Sequence, residues 1–302
     1  MPRAALPLTH LLLALVVVAV WGTNFVVIKW GLAAFPPLTF AALRFTFAVL
    51  PAIFFLRRPA VPWRNLAAYG LLIGVGQFGV LYIAMQGHIS PGLTSLVVQT
   101  QAFFTVGLAM AVGGEKIQPF QAVALALAAA GLGWLMLHGG VDVTALGLGM
   151  VLFAAVSWAL GNTVARASPG VSMLAYVVWS SLFAAPPLFA LALVVEGWPA
   201  VSHSLAQAGP GAWSAVLWQS VGNTIFGYTA WAWLLARHPA AAVSPLSLLV
   251  PVFGMSASAV LLHEPLTTWK LTAAALVLSG LALNTLWPLA RRRLGLVSAE
   301  PA

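Results

Sequence analysis

The sequence predicts an all-α integral membrane protein: ten transmembrane helices in an inverted repeat of five plus five, with both termini cytoplasmic. Three observations predict it. Hydrophobic residues make up 62% of the 302-residue chain and Asp, Glu, Lys and Arg only 6%. An ordinary soluble domain carries about 25% charged residues, so a water-facing surface cannot be built from this composition. Apolar runs of about 20 residues, enough to cross roughly 30 Å of hydrocarbon as helix, recur ten times along the chain. A long segment of the first half also reappears in the second.

The first run, 9–33, follows Arg3 as a signal peptide would. It is too long, lacks a small-residue cleavage site and continues through Thr23 and Asn24 to Trp30, so it is expected to be retained as a span. The second, 38–56, opens after Pro36 and Pro37 and carries Arg44. The third, 66–86, follows the Arg57 to Pro62 breaker and contains Gly70, Gly74, Gly76 and Gly79, which permit bending or close approach. The fourth and fifth, 92–112 and 119–137, are separated by the Gly113 to Pro119 turn. After Gly139 and Gly140 come 145–166 and, past Ser168 to Gly170, 171–195. The last three, 211–235, 242–262 and 269–290, are divided by His238 with Pro239 and by Glu264 with Pro265. Strands are excluded because the runs lack period-2 alternation and are about twice too long for a barrel strand of roughly ten residues.

Charge sets the orientation. With the amino terminus inside, Arg3, Arg57, Arg58, Arg64, Lys116, Arg166, Arg237, Arg291, Arg292 and Arg293 fall on the cytoplasmic side. Only Lys270 falls outside, and Lys29 and Arg44 lie at membrane depth. That bias follows the positive-inside rule. The net charge of +8 therefore reads as topology, and no basic patch for nucleic acid is present.

Shifting the chain by 149 residues aligns Ser95 to Leu132 with Ser244 to Leu281 without a gap. Ser95 meets Ser244, Phe104 meets Phe253, Glu115 meets Glu264, and Gly131-Leu132 meets Gly280-Leu281. Trp21 with Asn24 answers Trp158 with Asn162, allowing one inserted residue. The expected units are 1–138, 139–290 and a basic cytoplasmic tail, 291–302. An odd number of spans per unit makes the second copy enter the membrane from the opposite side, an architecture recurrent in secondary transporters.

Polar residues inside the spans are the candidate site, since such groups are costly in hydrocarbon unless they meet a partner or a wet cavity. They are Trp21, Thr23 and Asn24; Gln77 and Tyr82; Gln99 and Gln101; Trp158 and Asn162; and Gln219, Asn223 and Tyr228. Gln219 and Asn223 share a helical face, whereas Gln99 and Gln101 point in different directions, so at most one of those two is expected to touch a substrate. Amides can equally serve as interhelical glue. Lys29 reads as snorkelling to the outer interface. Arg44 lies about 10 Å below the outer surface at roughly 1.5 Å per residue, and if either cation lines the path its partner is a substrate carboxylate. Pro251 removes a helical hydrogen bond and marks a hinge, with Ser244 and Ser247 available to compensate. Glu115 and Glu264 read as caps or braces of their turns, and the six histidines fall at helix ends or loops.

The segments "VVVAVWGTNFVVIKWGL", "PPLTFAALRF", "PAIFF", "GLTSLVVQTQAFFT", "GE" at 114–115 and "SPLSLLVPVFG" resemble the EamA branch of the drug/metabolite transporter superfamily. Within it the chain is most similar to bacterial O-acetylserine/cysteine exporters and, more distantly, to aromatic amino-acid exporters. The resemblance implies ten helices, 1–138 and 139–290 as two EamA repeats, a bacterial inner-membrane location and efflux of amino acids or related small metabolites.

A membrane enzyme is disfavoured because the five carboxylates fall in loops or at helix ends and there is no cysteine. No cofactor and no metal site are expected, and the partners are a small-molecule substrate and the bilayer, with a monomer sufficient. A drug or nucleotide-sugar transporter of the same superfamily is the alternative. A nucleotide would need more buried positive charge than Lys29 and Arg44 supply, and efflux of cations often uses an intramembrane carboxylate, which is absent. That absence also predicts facilitated efflux rather than proton coupling.

Overall fold

The computed structural model describes residues 6–113, 117–140, 142–168 and 170–293. Arg3, Glu115, Lys116 and Glu300 lie outside them. The described residues are helical throughout apart from turns and one isolated bridge between Ile89 and Val143.

We label the helices α1 (Leu8–Leu32), α2 (Pro37–Val49), α3 (Trp63–Met85), α4 (91–113), α5 (Pro119–His138), α6 (Ala145–Arg166), α7 (Met173–Val195), α8 (210–237), α9 (Ser244–Leu261) and α10 (Thr268–Arg293). Seven of these stretches, and α2 when taken with the turn that follows it as Pro37–Phe54, are long and apolar enough to cross a membrane. The other two, α4 and α8, are each assembled from shorter helical pieces. A surface helix, Trp198–Gln207, fills the stretch between α7 and α8, which lies outside the predicted spans.

The second predicted span is shorter than expected. Pro51 cannot continue the helix and holds Leu50 extended (ψ 130°), so α2 stops at Val49 and the chain resumes only as a 3-10 turn, Ala52–Phe54. α2 begins with Pro37 in its first turn, and the Glu196 carboxylate accepts from the Leu38 and Thr39 N–H groups and from Thr39 Oγ1. A carboxylate at a helix N-terminus satisfies orphan donors and complements the dipole. It also fastens the end of α7 to the start of α2.

The same irregularities occur in both halves. A nine-residue π-helical stretch, Leu71–Gly79, interrupts α3, and another of nine residues, Trp218–Phe226, interrupts α8. A 3-10 stretch, Val98–Thr100, interrupts α4 between the α-helical segments Pro91–Val97 and Gln101–Gly113, and Ser244–Leu249 likewise stands between the short helix Ala240–Val243 and the α-helical part of α9. The helix contacts are paired in the same way. α1 packs on α9 as α6 packs on α4; α3 meets α6 as α8 meets α1; α2 meets α8 as α7 meets α3. The pairs α2 with α7, α4 with α9 and α5 with α10 map onto themselves, with α5 and α10 pairing most extensively with each other.

Small residues set the crossings. A Cβ at Gly22 would fall 2.5 Å from both Phe253 Cβ and Val250 O, so α1 and α9 are in backbone contact. Gly70, Gly74, Gly76 and Gly79 likewise bring α3 against Ser180, Ala184, Ser157 and Leu188. Gly22→Ala should lower stability in detergent by about 1–3 kcal/mol, the usual cost of overpacking. The control Gly133→Ala, inside a helix where an added Cβ meets nothing within 4 Å, should be unchanged or more stable by up to about 1 kcal/mol. Equal thermal-unfolding midpoints for the two variants would contradict the packing account.

Candidate functional site

α2 carries Arg44 into the interface between the two halves, where it is 1% exposed. Its Nη1 donates to Tyr82 Oη of α3 at 3.1 Å and to Gln219 Oε1 of α8 at 3.0 Å. Nη2 donates to Thr224 Oγ1 at 3.1 Å. Tyr82 donates to the same Gln219 oxygen at 3.0 Å, and Gln219 Nε2 donates to Asn24 Oδ1 of α1 at 2.8 Å. Four helices thus meet in one polar network, with Ser220 Oγ also donating to the Arg44 carbonyl at 2.9 Å. The guanidinium stands 3.6 Å from the Phe78 ring centroid and 5.4 Å from that of Phe45, and aromatic faces attract a cation. Among the described residues no carboxylate lies within 4.0 Å of Arg44. Its hydrogen-bonding partners are all neutral.

The network gathers four of the sequence candidates: Asn24, Arg44, Tyr82 and Gln219. Nearby, the Trp21 indole donates to the Asn223 carbonyl at 3.3 Å and tilts against Tyr228 with ring centroids 5.8 Å apart. The Asn223 amide, 5% exposed, has no side-chain hydrogen bond among the described residues. Gln77 is buried and its Oε1 has no partner. Thr23 turns back onto its own helix, donating to Ala19 O at 2.8 Å.

Other candidates stand apart. Gln99 and Gln101 do point in different directions: Gln99 Nε2 reaches Ser247 O of α9 at 3.2 Å, whereas Gln101 Oε1 accepts from Asn162 Nδ2 of α6 at 3.3 Å and from Thr105 at 3.2 Å. Trp158 packs against the main apolar core. Pro251 sits where α9 changes from 3-10 to α geometry. Having no N–H, Pro251 cannot bond the Ser247 carbonyl four residues back. That carbonyl takes the Gln99 amide and the Val250 N–H instead, so the compensation comes from the other half of the chain and from the local 3-10 bond, and not from the expected serines, since Ser247 Oγ donates to the Ser244 carbonyl.

At one end of the bundle α1 and α3 finish and α4, α6 and α10 begin, around a vestibule of about 440 Å³ lined by Lys29, Ser90, Asp142, His263 and Glu264 among others. Lys29 is exposed at its rim. Glu264 accepts from Ser90 Oγ, from Gly92 N at 3.1 Å and from Lys270 Nζ at 3.0 Å. It therefore caps the start of α4 and braces the turn between α9 and α10. Lys270, which the sequence supplies only as an outside charge, is 0% exposed and also pairs with Asp142 at 3.1 Å. At the opposite end His10 Nδ1 and His238 Nε2 lie 2.7 Å apart, joining the start of α1 to the end of α8.

Sequence reasoning missed Thr224, Ser220, Lys270 and Ser180, whose buried Oγ has no partner. Thr224 adjoins Asn223 and could have been found by proximity, but a lone serine in a span gives no signal because its hydroxyl ordinarily bonds its own helix.

From the sequence alone, a lining role for Asn24 and Asn223 makes both alanine variants nearly harmless to folding. The network separates them. Asn24→Ala strands the buried Gln219 amide, a loss of about 1–3 kcal/mol, while Asn223→Ala breaks no side-chain bond and should unfold with wild type. Thermal unfolding of both variants in one detergent measures the difference, and equal stabilities would remove Asn24 from the network.

The EamA-like transporter family matches residues 8–137 and 145–286. A probable amino-acid metabolite efflux pump of Salmonella typhimurium is 42% identical over 278 residues, covering 90% of this chain and 93% of that protein. The Escherichia coli protein of the same description is 41% identical over the same shares. A crystal structure 21% identical superposes with a TM-score of 0.63 over 94% of this chain and 98% of its own, which shows a shared fold. With its apolar helices, the chain is a multi-pass transporter of the inner membrane and not an enzyme. Since the family matches both halves and these relatives cover nine-tenths of the chain, the protein belongs to the EamA-like transporter family.

Proposed function

We propose that this protein exports amino acids or related small metabolites from the cytoplasm by alternating access. In this reading all ten helices span the membrane, as inverted repeats 1–138 and 139–290 with both termini and the tail 291–302 inside, and one chain suffices. Support for the inversion comes from direction: α1 ends on the face where α6 begins. The paired contacts and the matching π and 3-10 stretches support two equivalent halves.

The observation that carries the substrate class is the buried, uncompensated guanidinium of Arg44 at the junction of the halves. Removing a charge from water costs several kcal/mol unless an opposite charge meets it, and a carboxylate-bearing solute supplies that charge while it is bound. Asn24, Gln77, Gln219 and Asn223 line the polar level that the solute crosses, beside the aromatic faces of Trp21, Tyr82 and Tyr228. Lys29 receives the departing carboxylate at the vestibule rim, and Gln99, Gln101, Trp158 and Asn162 form the corresponding contacts between α4, α6 and α9. Pro251 gives α9 its hinge.

Driving force follows from what the centre lacks. The described carboxylates Asp142, Glu196 and Glu264 are engaged at helix ends, so among the described residues no acid at the centre is available to carry a proton, and efflux runs down the solute's own gradient. Inside-out vesicles should therefore take up labelled amino acids from a panel without an imposed pH gradient or potential. Accumulation above equilibrium that requires a pH gradient and is abolished by a protonophore would contradict facilitated export. Absence of transport for every member of the panel would contradict the substrate class.

A further inference from the structure

Between α2, α3, α7 and α8 lies a narrow cavity of about 10 Å³, lined in part by Arg44, Tyr69, Phe78, Ser180, Thr224 and Tyr228. Among the described residues, two buried polar atoms of its lining have no hydrogen-bond partner, Arg44 Nε and Ser180 Oγ. Both residues are 1% exposed. Unpartnered buried polar groups are uncommon and costly, and here two belong to the walls of one cavity. The arginine's other two nitrogens are already taken by Tyr82, Gln219 and Thr224. Nε is therefore its one nitrogen without a partner among the described residues, and Nη2 keeps a further N–H beside it.

We propose that Arg44 Nε and Ser180 Oγ are the paired donors for the substrate's carboxylate, and that Ser180 is a specificity-determining residue for acids over their neutral derivatives. The proposal rests on the export reading above. A carboxylate is acceptor-only with two oxygens, so one oxygen meets the guanidinium edge and the other the serine hydroxyl, neutralising the charge that the protein leaves uncompensated. A neutral carboxamide brings no charge to the guanidinium, and its bond with the Ser180 hydroxyl, which can donate or accept, is a neutral one and weaker than the bond that hydroxyl donates to a carboxylate.

The walls are built to widen. A cavity of about 10 Å³ is room for about one water, too little for a carboxylate, so binding requires α7 to draw back from α2 and α3. Ser180 lies beside the point where α7 is interrupted, between Met173–Ser181 and Ala185–Val195. Facing it are the π-helical stretches of α3 and α8, which include Phe78 and Thr224. π stretches are frequent at functional sites because their bonding can re-register at little cost. Each wall but α2 is thus an irregular helix.

The test compares wild type, Ser180→Ala and Ser180→Thr, purified in detergent. Binding of the twenty common L-amino acids and their carboxamides is titrated by the shift in thermal unfolding. Wild type should favour at least one acid over its amide. Ser180→Ala should weaken that acid about tenfold or more, as expected for a hydrogen bond to a charged group, and weaken the amide by less, so that the acid-to-amide ratio falls; Ser180→Thr should restore the preference. Because Ser180→Ala removes an unsatisfied hydroxyl, the variant without ligand should be at least as stable as wild type, the opposite of what a structural serine gives. If acids bind but the acid-to-amide ratio is the same in wild type and Ser180→Ala, the subsite is overturned and the export reading stands. If no amino acid binds wild type or is taken up by the vesicles, the export reading fails and the subsite fails with it.

Discussion

A guanidinium keeps its charge at any physiological pH, so Arg44 cannot relieve its burial by losing a proton. It must be solvated by the protein or by what the protein carries. Tyr82, Gln219, Thr224 and the Phe78 face supply neutral solvation. They come from two helices, Tyr82 and Phe78 from α3 and Gln219 and Thr224 from α8, so the arginine cannot sit where it does unless α2, α3 and α8 are already in place. Asn24 extends the dependence to α1 through Gln219. The polar centre therefore works as a register pin between the halves while leaving one positive charge for a passing anion to meet.

The mechanical parts are arranged around that pin. Backbone contact at Gly22 fixes α1 on α9, whereas α3, α7 and α8 are irregular where they face the arginine. The vestibule end is held by Glu264, Lys270 and Asp142 with Ser90 and Gly92. The other end is joined by the contact of two imidazole rings, His10 and His238. A bundle that is rigid at its crossings, irregular at its centre and fastened differently at its two ends has the parts that alternating exposure requires.

Much of this was legible in the sequence, for identifiable reasons. Ala145–Arg166 falls at the predicted bounds because an apolar run closed by an arginine leaves little choice. Asn24, Arg44 and Gln219 stood out because polar groups in apolar runs are rare. The stop of α2 at Val49 turned on one proline whose effect a composition window averages away. The surface helix Trp198–Gln207 was missed because it is neither long nor uniformly apolar. Lys270 was read as a charge and not as a buried partner, since its distance from Asp142 in sequence hides their contact. The π stretches leave no compositional trace beyond the glycines Gly74, Gly76 and Gly79, and Ser180 looks like any serine in a span until its hydroxyl is seen to lack a partner.

The central claim is that the cavity beside Arg44 is the substrate site and opens in turn to each side of the membrane. The chain contains no cysteine, so a single cysteine at Ser181, a wall residue whose hydroxyl only bonds its own helix, reports accessibility without background. The most direct measurement is the rate at which a membrane-impermeant maleimide modifies that cysteine in inside-out and in right-side-out vesicles, with and without transported amino acid. The account predicts modification from both sides, slowed by substrate in each case. Modification from one side only, or rates indifferent to substrate, would contradict it.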